Sequence, residues 1–435
     1  MVHKAIATSK FLLIGLLLQM FATSAGAQTD TLHLTFKEAE KLFLQKNLAL
    51  VAAHYNIESN KALVEQARKW DNPTLSTGQN LYNKDEGYFK HGEVKDSLGN
   101  VTPIGEFSAD LEQLIKTAGK RRKQIDIAKT NVTIAEWQFK ATMRALRATM
   151  FSDFYTIAQL KGNAILYNEN LNRLSKLLSA MEMQLQAGNI ARKEYLRVKA
   201  LIVSIQQQIV DNNKDIDDAQ AELKTLLSIK GKTYIDVVAP ENEKAELPTI
   251  SLAQILDSAK QHNTDYGLET YQLQLQRQTL RLQKALAIPD LTVGINFDQH
   301  ATYTPNYYGL NIGLPIPLWD RNQGNIRSAR NLVKAEEANM QQIDTKLEND
   351  VFNAYSRLLN QLKLNSGSNK QFYVDYYQIY NNIVDAFNKR QISLLEFLDY
   401  FGDYSDTREK ELQQILNFRL AKENLNDIVG VDVID

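Results

Sequence analysis

Cysteine is missing from all 435 residues. Its absence removes disulfides, thiolate metal sites, cysteine nucleophiles and lipid attachment at a mature amino-terminal cysteine together. Proline and glycine are scarce, at 8 and 19 residues, so few breakers interrupt a chain rich in Leu, Ala, Gln, Lys and Glu, and a mostly helical fold is expected. Neither charge sign is in excess: 50 basic side chains meet 51 acidic ones, for a net charge of −1. Bulk electrostatics therefore gives no case for nucleic acid. After the first residues no run is apolar enough to cross a bilayer as a helix, so the mature chain is either soluble or embedded as strands. His33, His54, His91, His262 and His300 are scattered, with none spaced four apart. No phosphate-cradling glycine loop and no nucleophile elbow is present either, so neither an enzyme, a cofactor nor a metal site is expected.

What is present begins with a leader. Lys4 and Lys10 precede an apolar stretch running from Phe11 to Met20, and Ala25-Gly26-Ala27 supplies small residues before Gln28. This is the pattern of a Sec-type signal peptide over residues 1–27. The mature chain is then written twice. At a constant offset of 216, Gln45 falls on Gln261, Asn47 on Asn263, Tyr55 on Tyr271, Pro73 on Pro289, Gly78 on Gly294 and Asn80 on Asn296. A first repeat over 28–232, a linker over 233–249 and a second repeat over 250–435 follow.

Within each repeat the order reads helix, strand, strand, very long helix, shorter returning helix. Thr35 and Ser251 are placed to cap the opening helices, and Pro73 and Pro289 end them. Leu291, Val293, Ile295 and Phe297 alternate with Thr292, Gly294, Asn296 and Asp298, a two-sided pattern that suits a sandwich or a lipid-facing barrel. Trp70 and Trp319 fall at one end of an antiparallel arrangement, with Tyr82, Tyr303 and Tyr307 at the other, as aromatic belts would. Four strands cannot close a barrel, so other copies must complete it. The long helices, near 120–186 and 322–388, carry narrow apolar stripes of coiled-coil type. At 1.5 Å per residue each would be about 100 Å long. Gly162 and Ser366-Gly367-Ser368 read as local kinks within them. Tips are expected at Ala187-Gly188-Asn189-Ile190 and Lys389-Arg390-Gln391-Ile392, where an offset of 202 also pairs Glu194 with Glu396.

This layout resembles the TolC-like outer-membrane efflux proteins. The likeness is carried by Leu34-Thr35-Phe36-Lys37-Glu38-Ala39, Asn47, Asn72-Pro73, Leu314-Pro315-Ile316-Pro317-Leu318-Trp319 with Asn322-Gln323-Gly324, and Ile392-Ser393-Leu394-Leu395-Glu396-Phe397-Leu398-Asp399. It implies a homotrimer with twelve strands in an outer-membrane barrel and a periplasmic tunnel of paired helices. It also implies partners: the outer-membrane lipid, a periplasmic membrane-fusion adaptor and an inner-membrane pump of the resistance-nodulation-division type. By the same likeness, Glu396 and Asp399, with Arg390 and Lys389 beside them, form the periplasmic aperture. Gly188, Asn189, Ile190, Glu194, Gln391 and Ile392 become the tips that meet adaptor or pump. The Pro-Leu-Trp-Asp-Arg-Asn-Gln-Gly stretch is most similar to the cation-efflux branch. A periplasmic coiled-coil adaptor or scaffold without a barrel is the competing reading.

Overall fold

A computed structural model describes residues 30–84, 87–88, 92–95, 97–104, 107–240, 251–299, 304, 306–365 and 367–434. The leader expected at 1–27 and Tyr303 lie outside the described residues. The chain opens with β1 (Thr31–Thr35), α1 (Phe36–Lys46) and α2 (Leu48–Ala67), followed by β2 (Thr74–Gln79). Two small hairpins, β3 (Tyr82–Asn83) with β4 (Gly87–Tyr88) and β5 (Gly92–Lys95) with β6 (Val101–Ile104), occupy what reads in sequence as a plain polar loop. β7 (Phe107–Ile115), α3 (Lys120–Gln186), α4 (Arg192–Leu226) and β8 (Tyr234–Val238) complete the first half. The second comprises α5 (Leu252–His262), α6 (Thr264–Leu286), β9 (Leu291–Asp298), β10 (Tyr307–Gly313), α7 (Gln323–Leu364), α8 (Gly367–Asn388) and α9 (Leu394–Val429).

Three expectations are corrected here. Gly162 does not kink α3, which runs unbroken for 67 residues; a side chain there would press on Leu412 of α9, its Cβ reaching 3.0 Å from the Leu412 methyls, so this glycine is a close-approach point between helices. The second long helix is two helices, since α7 ends in Asn365, whose ψ of 19° departs from the helical value, and α8 begins afresh at Gly367. The opening helices are also divided. Asn47 and Asn263 sit at ψ 119° and 130°, each ending one helix and capping the next with its side-chain oxygen. The linker span holds a strand too: β8 pairs in parallel with β1, and Leu34, Ile235 and Val237 are buried between helices.

Four strands form one antiparallel sheet in the order β10–β9–β7–β2, leaving β10 and β2 as its edges. The helices that descend from it pack in the same order: α2 on α3, α3 on α6, α6 on α7. Farther from the sheet, α3 continues against α4 on one side and α9 on the other. Each short helix thus sits end to end with another. The asparagines make those joints: Asn47 Nδ2 donates to the Leu226 carbonyl at the end of α4 (2.8 Å), and Asn263 Nδ2 to the Ile428 carbonyl near the end of α9 (2.8 Å). Apolar clusters flank both, with Phe43, Phe154, Leu223 and Ile235 at the first and Ile255, Val351, Leu358 and Leu425 at the second. Arg147 ties the two halves across, donating to Glu40 at 2.5 Å and to Glu423.

Candidate functional site: a lipid-facing sheet and a distant pair of tips

Cross-strand partners in an antiparallel sheet share a face. The register therefore sets Leu75, Leu111, Ile295 and Leu310 in one row, with Val293 and Ile312 beside them. The opposite face carries Ser76, Asp110, Asn296 and Gly309 in one row and Glu112 opposite Gly294 in the next. Leu75, Ile295, Leu310 and Ile312 are all exposed. Among the described residues no second sheet covers the apolar face, which removes the sandwich. Trp70 and Trp319 stand at the helix-proximal end, 64% and 87% exposed, and Arg121 lies over the Trp70 ring at 4.4 Å. Tyr82, its ring tilted against that of Tyr88 with centroids 5.0 Å apart, and Tyr307 stand at the other end.

The tips lie at the far end of the helices. Gly188 takes φ +74°, so that Asn189 N can donate to the Gln184 carbonyl (2.9 Å) and Gly188 N to that of Leu185 (3.0 Å). This double closure of a helix end needs a left-handed residue. The second tip closes in the same way, with Gln391 N on Ala386 O (2.8 Å) and Arg390 N on Phe387 O (2.9 Å), but its left-handed residue is Arg390, at φ +61°. A β-carbon in that region costs roughly 1–2 kcal/mol, so this tip holds strain that the first does not. Ser393 then caps α9 by accepting from Glu396 N at 3.2 Å. Glu396 and Asp399 fall on the exposed side of α9, while Phe397, Leu398 and Phe401 are buried against α3, α4 and α8. Lys389 and Arg390 are exposed as well, and none of these four makes an ion pair with another within the chain.

Between the tips lies a groove of about 390 Å³, lined by Lys193, Glu194, Arg197, Ser393, Leu394, Leu395 and Leu398. Glu194 was legible from the repeat. Leu395 and Leu398 stand in the tip motif of the sequence, but Lys193 and Arg197 carry no such mark, because they face the second tip only once two helix pairs, about two hundred residues apart in sequence, are laid side by side; a heptad register shared between the halves would have been the signal. Ile190 and Ile392 pack partly into the cluster behind the groove, whereas Gly188, Asn189 and Gln391 stay at its rim.

A single sheet with an apolar outer face, set on helices of tunnel length, defines a protomer of an outer-membrane channel. The comparisons agree: residues 41–228 and 255–430 match the family described as outer membrane efflux protein. The chain belongs to that family. It is an efflux duct protein of the outer membrane with a periplasmic extension, not an enzyme and not a barrel-less adaptor. The cobalt-zinc-cadmium resistance protein CzcC of Cupriavidus metallidurans is 20% identical over 296 residues, which cover 68% of this chain and 66% of that relative's length. The CmeC outer membrane channel of Campylobacter jejuni superimposes with a TM-score of 0.73 at 15% identity, covering 91% of this chain and 85% of its own. CusC superimposes with a TM-score of 0.71 at 18% identity, covering 94% and 95%. Likeness at such identity establishes the fold, which is of the TolC-like kind.

Proposed function

We propose that three copies of this chain, exported by the leader at 1–27, close into one passive duct that runs from the outer membrane through the periplasm and serves an adaptor and an inner-membrane pump. The resemblance favours a pump of the resistance-nodulation-division type. The observation that carries the reading is the sheet: apolar on one face and bounded by two unpaired edges, β2 and β10. Lipid cannot satisfy such edges, whereas neighbouring copies can. The names of the cobalt-zinc-cadmium and the nickel and cobalt resistance relatives support metal cations as cargo.

The tips are the gate in this reading. Their exposure, without an ion-pair partner among the described residues, leaves Glu396 and Asp399 available to converge on a threefold axis. Crowded carboxylates there would attract cations, while Lys389 and Arg390 would hold neighbouring tips by charge-assisted hydrogen bonds. Gly188, Asn189, Ile190, Glu194, Gln391 and Ile392 would meet the adaptor or pump around the groove. In planar bilayers, Glu396→Gln with Asp399→Asn is expected to lower cation over anion permeability several-fold, and Arg390→Gln to raise single-channel conductance. Unchanged conductance and selectivity in both variants would place the constriction elsewhere.

A further inference from the structure

We propose that the membrane-proximal ends of α6 and α7, together with the segment between β10 and α7, form a binding surface for anionic phospholipid headgroups of the periplasmic leaflet. The two helices lie side by side, fixed in register by Arg277 donating to Glu337 (2.9 Å) and by Asn322 donating to the Gln283 carbonyl (2.7 Å). From that ion pair toward the membrane, Arg281 and Lys284 continue the Arg277 face of α6 at helical spacing. Arg330, Lys334 and Arg327 continue the Glu337 face of α7. All five are exposed, and none has an ion-pair partner among the described residues. Of the nearby acids without an ion pair among the described residues, Asp320 is occupied in accepting from Asn322 N at 2.8 Å and Glu336 in accepting from Asn339 Nδ2 at 3.2 Å.

The duplication shows where the second half gains charge. At the offsets of the repeat, Lys284 and Arg330 have cationic counterparts in Arg68 and Lys129, whereas Arg281 stands where the first half has Glu65, and Arg327 where it has Asp126. Position supplies the second argument. α6 ends five residues before β9, and Arg281 and Lys284 lie within about two turns of that helix end. The chain leaving β10 then exposes Leu314, Ile316, Leu318 and Trp319, with Ile316 at 75% and Trp319 at 87%. Apolar side chains and an indole directly followed by unpaired arginines match the boundary between acyl chains and phosphates, where each nearby cation adds attraction to anionic lipid. A solvated lumenal face would have no use for the apolar half of this surface.

The proposal rests on the duct reading, and the test keeps the two apart. The purified full-length protein, reconstituted in nanodiscs of phosphatidylcholine with increasing phosphatidylglycerol, is analysed for co-retained lipid by native mass spectrometry. The wild type is expected to enrich phosphatidylglycerol by about tenfold over its bulk fraction, falling toward unity with added salt. Arg281→Gln/Lys284→Gln/Arg327→Gln/Arg330→Gln should abolish the enrichment, and Arg68→Gln/Lys129→Gln in the first half should leave it in place. Equal retention of both lipids by the wild type, or undiminished enrichment in the fourfold variant, would overturn the proposal. So would a fourfold variant that loses its oligomeric state in lipid-free detergent, because that outcome would assign the cations to a contact between copies. Failure of the duct reading shows differently, as a protein that neither inserts nor conducts.

Discussion

Asn47 and Asn263 each do three things: the extended backbone ends one helix, the side-chain oxygen caps the next, and the side-chain amide donates to one carbonyl at or near the end of a third. Asn47 is 5% exposed, so its removal would leave the Leu226 carbonyl unpaired as well as the cap empty. Asn47→Ala is expected to cost about 2 kcal/mol, the sum of a lost cap and a buried polar group without its partner. Asn47→Asp, which keeps the acceptor but loses the donor, should fall between the two in thermal unfolding. Should Ala and Asp prove equally mild, the joint is held by the flanking apolar clusters alone.

Asp153 offers a pH-dependent counterpart. Burial, with Glu222 adding repulsion, pushes its carboxyl up to about 7, and its Oδ2 is buried without a hydrogen-bond partner. A carboxylic acid whose folded pKa is raised binds its proton more tightly in the folded chain than in the unfolded one. This contribution therefore falls as pH rises from about 4 to 7, and in the fully ionised range the group opposes folding. Asp153→Asn should stabilise the protein at pH 8 by about 1 kcal/mol, less than the full shift implies because the side chain is partly hydrated. The gain should vanish near pH 4, and a gain that persists there in melting curves would point to packing instead of charge.

At the scale of elements, α3 has unequal neighbours. Against α4 it sets Leu174 and Met181, which meet Val198, Ile202 and Ile205 of α4 in an apolar seam. Against α9 at the same height it sets Asn170, whose Nδ2 donates to Ser405 Oγ at 3.0 Å, and Tyr167, which meets Glu409. α8 in turn holds α9 through the Tyr380–Tyr404 stack at 3.7 Å and through Arg408 donating to Tyr377 at 2.6 Å. Polar seams lose less when water enters than apolar ones. Amide exchange is accordingly expected to be faster by at least about tenfold in α8 and the first half of α9 than in α4; equal protection would mean the two tips open as one unit.

The first long helix, the strand pairs and the first tip were legible because period, proline and glycine mark them locally, and the second tip because the repeat places it. The breaks at Asn47 and Asn263 were not, since asparagine in a helical pattern is a weak signal until its side chain is seen to reach a carbonyl some 165 to 179 residues away, and the Asn365 side chain reaches only the Gln361 carbonyl of its own helix. β1 and β8 escaped notice for the same reason: each is short, and their pairing joins residues 31–35 to 234–238. Glu396 and Asp399, proposed here for the aperture, could be singled out by likeness alone, and whether they converge depends on other copies of the chain.

For the whole molecule, the unpaired edges of the sheet are matched by apolar residues on the outer helices. Leu48, Tyr55 and Leu63 on α2 and Leu332 and Phe352 on α7 are exposed in the single chain. Solubilised protein should be trimeric by light scattering once detergent mass is subtracted. A monodisperse monomer with an intact circular dichroism spectrum would refute the assembly.

The shared order of strands and helices carries one more consequence. Because β2 lies above α2 and β10 above α7, the boundary of a chain is a single line from the membrane downward, and each copy behaves as a stave in a cask. The number of staves cannot differ between the hoop in the lipid and the hoop at the tips. Any widening at the bottom must then come from staves turning or leaning, with the top hoop left at fixed girth.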